Sequence, residues 1–214
     1  MSILNEISEF LQKGRVSKVK ELVNQALSEN VAPQTILDEG LLGGMSAIGE
    51  KFKKNEVFVP EVLIAARAMN AGVEILRPYL NTDDIASKGV VIIGTVKGDL
   101  HDIGKNIVKM MLEGKGLTVI DLGVDVSADA FVEKAAEHHA NIICCSALLT
   151  TTMGEMKNVV EKAILAGIRD QVKIMVGGAP ITQSFCDSIG ADYYTPDAST
   201  CAEIAAKLCS SQTI

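Results

Sequence analysis

The sequence predicts an α/β chain in two parts, a four-helix bundle followed by a five-stranded parallel sheet with helices on both faces. Three observations predict it. Apolar residues recur at helical spacing from residue 2 to 80. The period then lapses in a polar stretch, Asn81–Lys88. Beyond it, short runs rich in Val and Ile alternate with helical stretches, the pattern of a parallel sheet built from β-α units.

In the first part, Ile3, Ile7, Phe10 and Leu11 form one stripe. Val19, Leu22, Val23, Ala26 and Leu27 form a second, with Ser17 placed to cap it. A third runs through Ile36, Leu37, Leu41, Met45, Ile48 and Phe52 and is entered at Pro33. A fourth runs through Val62, Ala65, Met69, Val73, Leu76 and Leu80 and is entered near Pro60. Short connections between four amphipathic helices predict an antiparallel bundle. The polar linker sets the domain boundary, giving a helical domain over 1–83 and an α/β domain over 88–214.

The second part predicts strands at Val90–Thr95, Leu117–Asp121, Ile142–Cys145, Val172–Val176 and Tyr193–Thr195. Helices are expected at Ile103–Gly114, Ala128–His138, Met153–Ala166, Ile181–Ile189 and Thr200–Leu208. Five such units fit a flavodoxin-like or Rossmann-like domain of strand order 2-1-3-4-5 better than a barrel of eight.

Composition excludes several classes. The 214 residues are 48% apolar and 22% charged, an ordinary globular balance. A net charge of −7 argues against broad nucleic-acid binding, which needs a basic footprint. Five cysteines without a C-x-x-C spacing argue for reduced thiols rather than a disulfide framework. The first residues lack the pattern of a signal peptide, and no run approaches the roughly 20 apolar residues of a membrane span. The expectation is a soluble cytoplasmic protein.

Three loops stand out. Asp99-x-His101-x-x-Gly104 follows the first strand, Ser146-Ala147-Leu148-Leu149-Thr150-Thr151-Thr152 the third, and Gly177-Gly178-Ala179-Pro180 the fourth. In the 2-1-3-4-5 order these strands are neighbours, so the loops share the carboxyl edge where open sheets bind ligands. Gly177-Gly178 would leave a slot without side chains, and Gly94, Gly98 and Gly104 would keep the facing wall low. His101 is either a loop histidine hydrogen-bonded to Asp99 or a metal ligand whose second ring nitrogen that carboxylate holds. The pair His138-His139 lies at a helix end, remote from this loop. One protein ligand cannot make a zinc site, whereas a lone histidine suits a metal already held by a macrocycle. A phosphate loop fails, because Asp99 and Asn106 stand where that motif needs Gly and Ser or Thr. Cys144-Cys145 reads as packing within a strand, and Met45, Met69, Met153 and Met156 as core filling.

The run Gly98-Asp99-Leu100-His101-Asp102-Ile103-Gly104-Lys105-Asn106 resembles the cobalamin-binding domain shared by cobalamin-dependent methionine synthase and the small corrinoid proteins of anaerobic methyltransferase systems. Ser146-x-Leu148, Gly177-Gly178 and Asp121-Leu122-Gly123 support the likeness. The first domain is similar to the family's helical cap at Gly49-Glu50-x-Phe52, Phe58-Val59-Pro60-Glu61 and Arg77-Pro78-Tyr79.

The resemblance implies a cobalamin or related corrinoid bound base-off and His-on. His101 would coordinate cobalt in place of dimethylbenzimidazole, whose buried place would be the slot beside Ser146, Gly177 and Gly178. Asp99 would hold His101, and Thr152 stands where methionine synthase has a serine. Gly98, Asp102, Ile103, Gly104, Leu148 and Thr150 complete the implied contacts, with Phe58 and Met69 as candidates above the cofactor. The implied function is that of a methyl carrier, cycling between Co(I) and methyl-Co(III), with the Asp99–His101–Thr152 relay taking up or releasing a proton. Not an enzyme by itself, it would serve a substrate-specific methyltransferase, a second methyltransferase with a thiol or tetrahydrofolate acceptor, and a reductive activation protein. Methanol, methylamines, quaternary amines and methoxylated aromatics are the implied donors. The alternatives are a cobalamin-dependent sensor or regulatory module and the cobalamin-binding subunit of a radical mutase.

Overall fold

A computed structural model describes residues 2–80 and 88–210. The predicted linker falls at 81–88, so all but its last residue lies outside the described residues. Two compact units account for the rest.

The first unit is helical. Helix α1 (Ile3–Gln12) is capped by Ser2, whose hydroxyl accepts from the Asn5 N–H at 3.3 Å, and it buries Ile7 and Leu11. It ends in a Schellman turn: Gly14 donates to Leu11 O at 2.8 Å and Arg15 to Phe10 O at 2.9 Å, with Gly14 at φ +66°. A Cβ there would also lie 2.7 Å from the Ile64 side chain, so position 14 needs glycine twice over. The turn leads straight into α2 (Val16–Ser28). Ser17 is therefore not the cap that its type suggests: it lies inside the first turn, and Arg15 occupies the N-cap without a side-chain bond.

The third predicted helix is one continuous run with a change of winding. It comprises α3 (Pro33–Thr35), a π-helical stretch Ile36–Leu42, and α4 (Gly43–Lys53). Gly40, Gly43 and Gly44 weaken the α preference here. Two of them also admit α1, since a Cβ would stand 3.1 Å from Ile7 Cγ2 at position 40 and 3.1 Å from Ser8 Cα at position 44. Helix α5 (Val59–Leu76) carries Pro60 in its first turn and is braced by Glu61, whose carboxylate accepts from the Phe58 N–H at 3.1 Å. It continues as a 3-10 turn, Arg77–Tyr79. Helices α1, α2, α4 and α5 pack on one another around Val19, Leu22, Ile48, Val62 and Leu76. Among the described residues no helix is long and apolar enough to cross a membrane.

The second unit is a parallel sheet of five strands in the order β2-β1-β3-β4-β5, the 2-1-3-4-5 order expected. The strands are β1 (Val90–Thr95), β2 (Thr118–Asp121), β3 (Ile142–Ser146), β4 (Lys173–Gly177) and β5 (Tyr193–Tyr194). They alternate with α6 (Ile103–Glu113), α7 (Ala128–Glu137), α8 (Gly154–Leu165), α9 (Gln183–Ile189) and α10 (Ala198–Ser210). Ile92, Ile143 and Ile174 stand side by side across the sheet. They share a core with Phe131 of α7 and Met156, Val159 and Val160 of α8. Each buried isoleucine contributes about 1.5–3 kcal/mol, which ties the strand register to the helices above it. Helices α6 and α10 pack against each other.

Candidate functional site

Register brings the carboxyl edge into line. Thr95 pairs with Ser146, and Ser146 with Gly177, so the loops after β1, β3 and β4 leave the sheet at one level. They enclose a cleft of about 320 Å³ lined by His101, Gly104, Ser146, Leu148, Gly178 and their neighbours.

The β1 loop turns at once. Asp99 N–H donates to Val96 O at 3.1 Å, closing a turn that requires Gly98 at φ +81°. The turn drives Asp99 inward to zero exposure, while His101 stays half exposed. Asp99 Oδ1 accepts from the His101 ring at 2.8 Å and from the His101 N–H at 3.1 Å. Its Oδ2 accepts from the N–H groups of Leu148 at 2.8 Å and Leu149 at 3.2 Å, and from the Thr152 hydroxyl at 3.0 Å. Burial alone would raise this carboxyl's pKa, but the Leu148, His101 and Leu149 donors outweigh it and hold it well below the usual carboxylate range. An ionised carboxylate only accepts, so Nδ1 of His101 carries the ring proton. The lone pair of the neutral imidazole is then at Nε2, the nitrogen turned away from Asp99.

Thr152 has one hydrogen and two acceptors, Asp99 Oδ2 and Leu149 O, each at 3.0 Å. The hydroxyl can therefore serve the carboxylate or leave it without moving the chain.

A Cβ on Gly178 would stand 1.9 Å from Ala147 O, at φ +131°, so no other residue fits. At Gly104 a Cβ would meet nothing within 4 Å, which leaves that side open. Leu100, Ile103, Leu148 and Leu149 are 71%, 73%, 44% and 40% exposed, an exposed apolar rim.

The residues expected at the site fall into three groups. His101, Asp102, Ile103, Gly104, Ser146, Leu148 and Gly178 line the cleft. Asp99 and Thr152 lie buried behind the histidine. Gly98, Thr150 and Gly177 are not among the cleft-lining residues; Gly98 shapes the turn, and a Cβ on Gly177 would face Thr195 O at 3.2 Å. Gly94 also departs from expectation, because the space its missing side chain leaves is filled by Phe131 and Val126, not by the cleft. Phe58 is 62% exposed, whereas Met69 is buried at 2%.

Sequence reasoning missed the Leu148 and Leu149 amides, which have no residue-type signature. It also missed Asp125, which grips the turn from the β2 side: its Oδ1 accepts from Gly98 N–H at 2.7 Å and its N–H donates to Asp99 O at 3.0 Å. Lys105 has a structural place that its type does not announce. Its ammonium is buried and paired with Asp121 of β2, pinning the first turn of α6. Burial pushes the Cys145 thiol up to about 12, in keeping with a packing role.

The donor set fits a metal held mainly by something other than protein. Among the described residues no three His, Cys, Asp or Glu side chains gather to ligate an ion. One directed imidazole beside a mainly apolar cleft is the arrangement present.

Models of B12 binding domains match residues 89–205 and residues 3–77. Trimethylamine corrinoid protein 1 of Methanosarcina acetivorans is 47% identical over 176 residues, covering 81% of this chain and 82% of the relative. A corrinoid protein of Desulfitobacterium hafniense is 40% identical over 211 residues, covering 97% and 98%. The crystal structure of a methanol:cobalamin methyltransferase complex from Methanosarcina barkeri contains a chain similar in fold, with TM-score 0.89 and 28% identity over 99% of this chain and 81% of that one. The chain belongs to the B12-binding corrinoid proteins of methyltransferase systems.

Proposed function

We propose that this corrinoid protein carries a methyl group between two methyltransferases, with His101 as the protein's ligand to cobalt. The observation that supports the reading best is the buried Asp99 carboxylate, which holds the Nδ1 proton of His101 and leaves Nε2 available beside the cleft. When bound, the corrinoid supplies a cobalt centre that can accept a methyl group and give it up, chemistry no side chain offers.

The residues around it bind, orient and tune. Ser146, Leu148 and Gly178 line the cleft and would hold the cofactor's tail, and Leu100, Ile103 and Leu149 would offer it apolar surface. A proton at Nε2 and a metal at Nε2 exclude each other, so His101 ligates only when that nitrogen is bare. Thr152 can strengthen or relax its hold on Asp99 by turning its hydroxyl between two acceptors, which makes Asp99–His101–Thr152 a relay able to follow ligation. The modules 1–83 and 88–214 act as helical cap and cofactor domain, with Phe58 as an exposed candidate at the cap.

The chain is a carrier that does not catalyse transfer alone. One partner would deliver the methyl group and another would remove it to a thiol or a tetrahydrofolate, with a reductive activation protein as a third partner. Since M. acetivorans and M. barkeri relatives are named for trimethylamine, a methylated amine is the first donor to test. The free, buried cysteines suit the reducing cytoplasm.

The test is spectroscopic. His101→Ala loaded with cobalamin should retain cofactor but lose the imidazole-ligated spectrum; an unchanged spectrum rejects the ligand.

A further inference from the structure

Strand β1 reads Val-Val-Ile-Ile-Gly-Thr, and its last residue, Thr95, is its one hydroxyl and is fully buried. A valine would fill nearly the same volume without a polar atom to satisfy, so the hydroxyl calls for a reason. Its main chain is already engaged: the N–H donates to Gly123 O at 3.0 Å, and the carbonyl accepts from Val126 N–H at 3.0 Å. The side chain reaches forward instead. Thr95 Oγ1 donates to the carbonyl of His101 at 2.7 Å.

His101 is thereby held on both sides of its Cα. Its N–H is fixed by Asp99 Oδ1 at 3.1 Å and its carbonyl by Thr95 Oγ1. Asp125 holds the preceding turn, so the loop is anchored to β1, to the β2 loop and to the β3 loop together.

We propose that Thr95 is a positioning residue for the cobalt ligand: it locks the main chain of His101, so that the imidazole is presented ready-made and is released by side-chain rotation while the backbone stays in place. The proposal rests on His101 being the ligand.

Thr95→Val and Thr95→Ser in the full chain test it by two readings. In the cobalamin-loaded cobalt(II) protein, nitrogen hyperfine splitting in the electron paramagnetic resonance spectrum gives the ratio of imidazole-ligated to unligated metal. Loss of one buried hydrogen bond should lower that ratio roughly 2- to 10-fold in Thr95→Val and leave Thr95→Ser within about twofold of wild type. In the cofactor-free chain, exchange of the His101 amide proton should quicken by a comparable factor in the valine variant only.

An unchanged ratio in Thr95→Val, or an equal fall in both variants, overturns the proposal. Should the valine variant not fold, the Thr95 hydroxyl proton of wild-type, cofactor-free protein decides: a slowly exchanging resonance supports the clamp and a fast one overturns it. Wild-type protein without nitrogen splitting would reject the ligand reading, while the amide exchange would still report on the clamp.

Discussion

Two aspartates in the α/β unit are both held ionised, and by opposite means. Asp121, at the end of β2, is neutralised by charge: Lys105 pairs with Oδ1, Lys109 lies 3.5 Å from Oδ2, and Gly123 N–H donates at 2.9 Å. Burial pushes its pKa up, and the lysines and the amide bring it below the ordinary value. Asp99, at the end of β1, is held by three backbone N–H groups, a hydroxyl and an imidazole. A carboxylate cancelled by ammonium groups is a structural bolt. One satisfied by dipoles keeps its charge to act on what it touches, and what Asp99 touches is His101.

The contrast can be broken from either side. The largest effect on stability is expected from Lys105→Met, which leaves Asp121 half paired. Unfolding in denaturant should show a loss of about 3 kcal/mol at most, the low end for breaking a buried pair, because Asp121 is only partly buried and Lys109 remains. The imidazole-ligated spectrum of the folded protein should be unchanged; its loss would show that the bolt belongs to the site.

Asp99→Asn should be milder in stability and severe in function. The amide can still accept from Leu148, Leu149 and Thr152 through its oxygen, but its NH₂ faces His101. The ring can respond by moving its proton to Nε2, so that mainly the His101 N–H is orphaned, at about 2 kcal/mol. That shift removes the lone pair from the nitrogen needed for a metal. Spectra of the loaded variant should lack imidazole ligation, and retention of it would mean that charge at position 99 does not set the tautomer.

The smallest effect near neutrality is expected from pH acting on these carboxylates. Both folded pKa values lie below the unfolded value of about 4, so their contribution to stability is complete above about 4 and is lost as pH falls through the folded values. Unfolding midpoints across pH 5 to 8 should show no contribution from either. Below about 4 the loss should extend to lower pH for Asp99, whose pKa is depressed furthest, and Asp99→Asn should remove the lower part of that slope.

Much of this was legible in the residues. Strand and helix positions followed from local periodicity, because a period of two or of 3.6 residues reflects which face meets a core. The expected strand order brought Asp99, His101, Ser146 and Gly178 to one edge, as the register confirms. The winding of Ile36–Leu42 was not legible, since a π stretch in a glycine-containing helix keeps an apolar stripe much like that of an α-helix.

The sequence by itself determined the elements, their order and the imidazole beside a carboxylate. Tertiary structure alone decided what surrounds that pair. The Leu148 amide and the Asp99 carboxylate are 49 residues apart, and neither position announces the other. Lys105 could face a ligand or a strand, and packing of α6 turned it to Asp121. Gly94 could open a cleft or admit a ring, and Phe131 took the space. The physical reason is common to all three. Periodicity reports burial along one element, whereas hydrogen bonds and close contacts depend on where a different element places its main chain, to within a few tenths of an ångström.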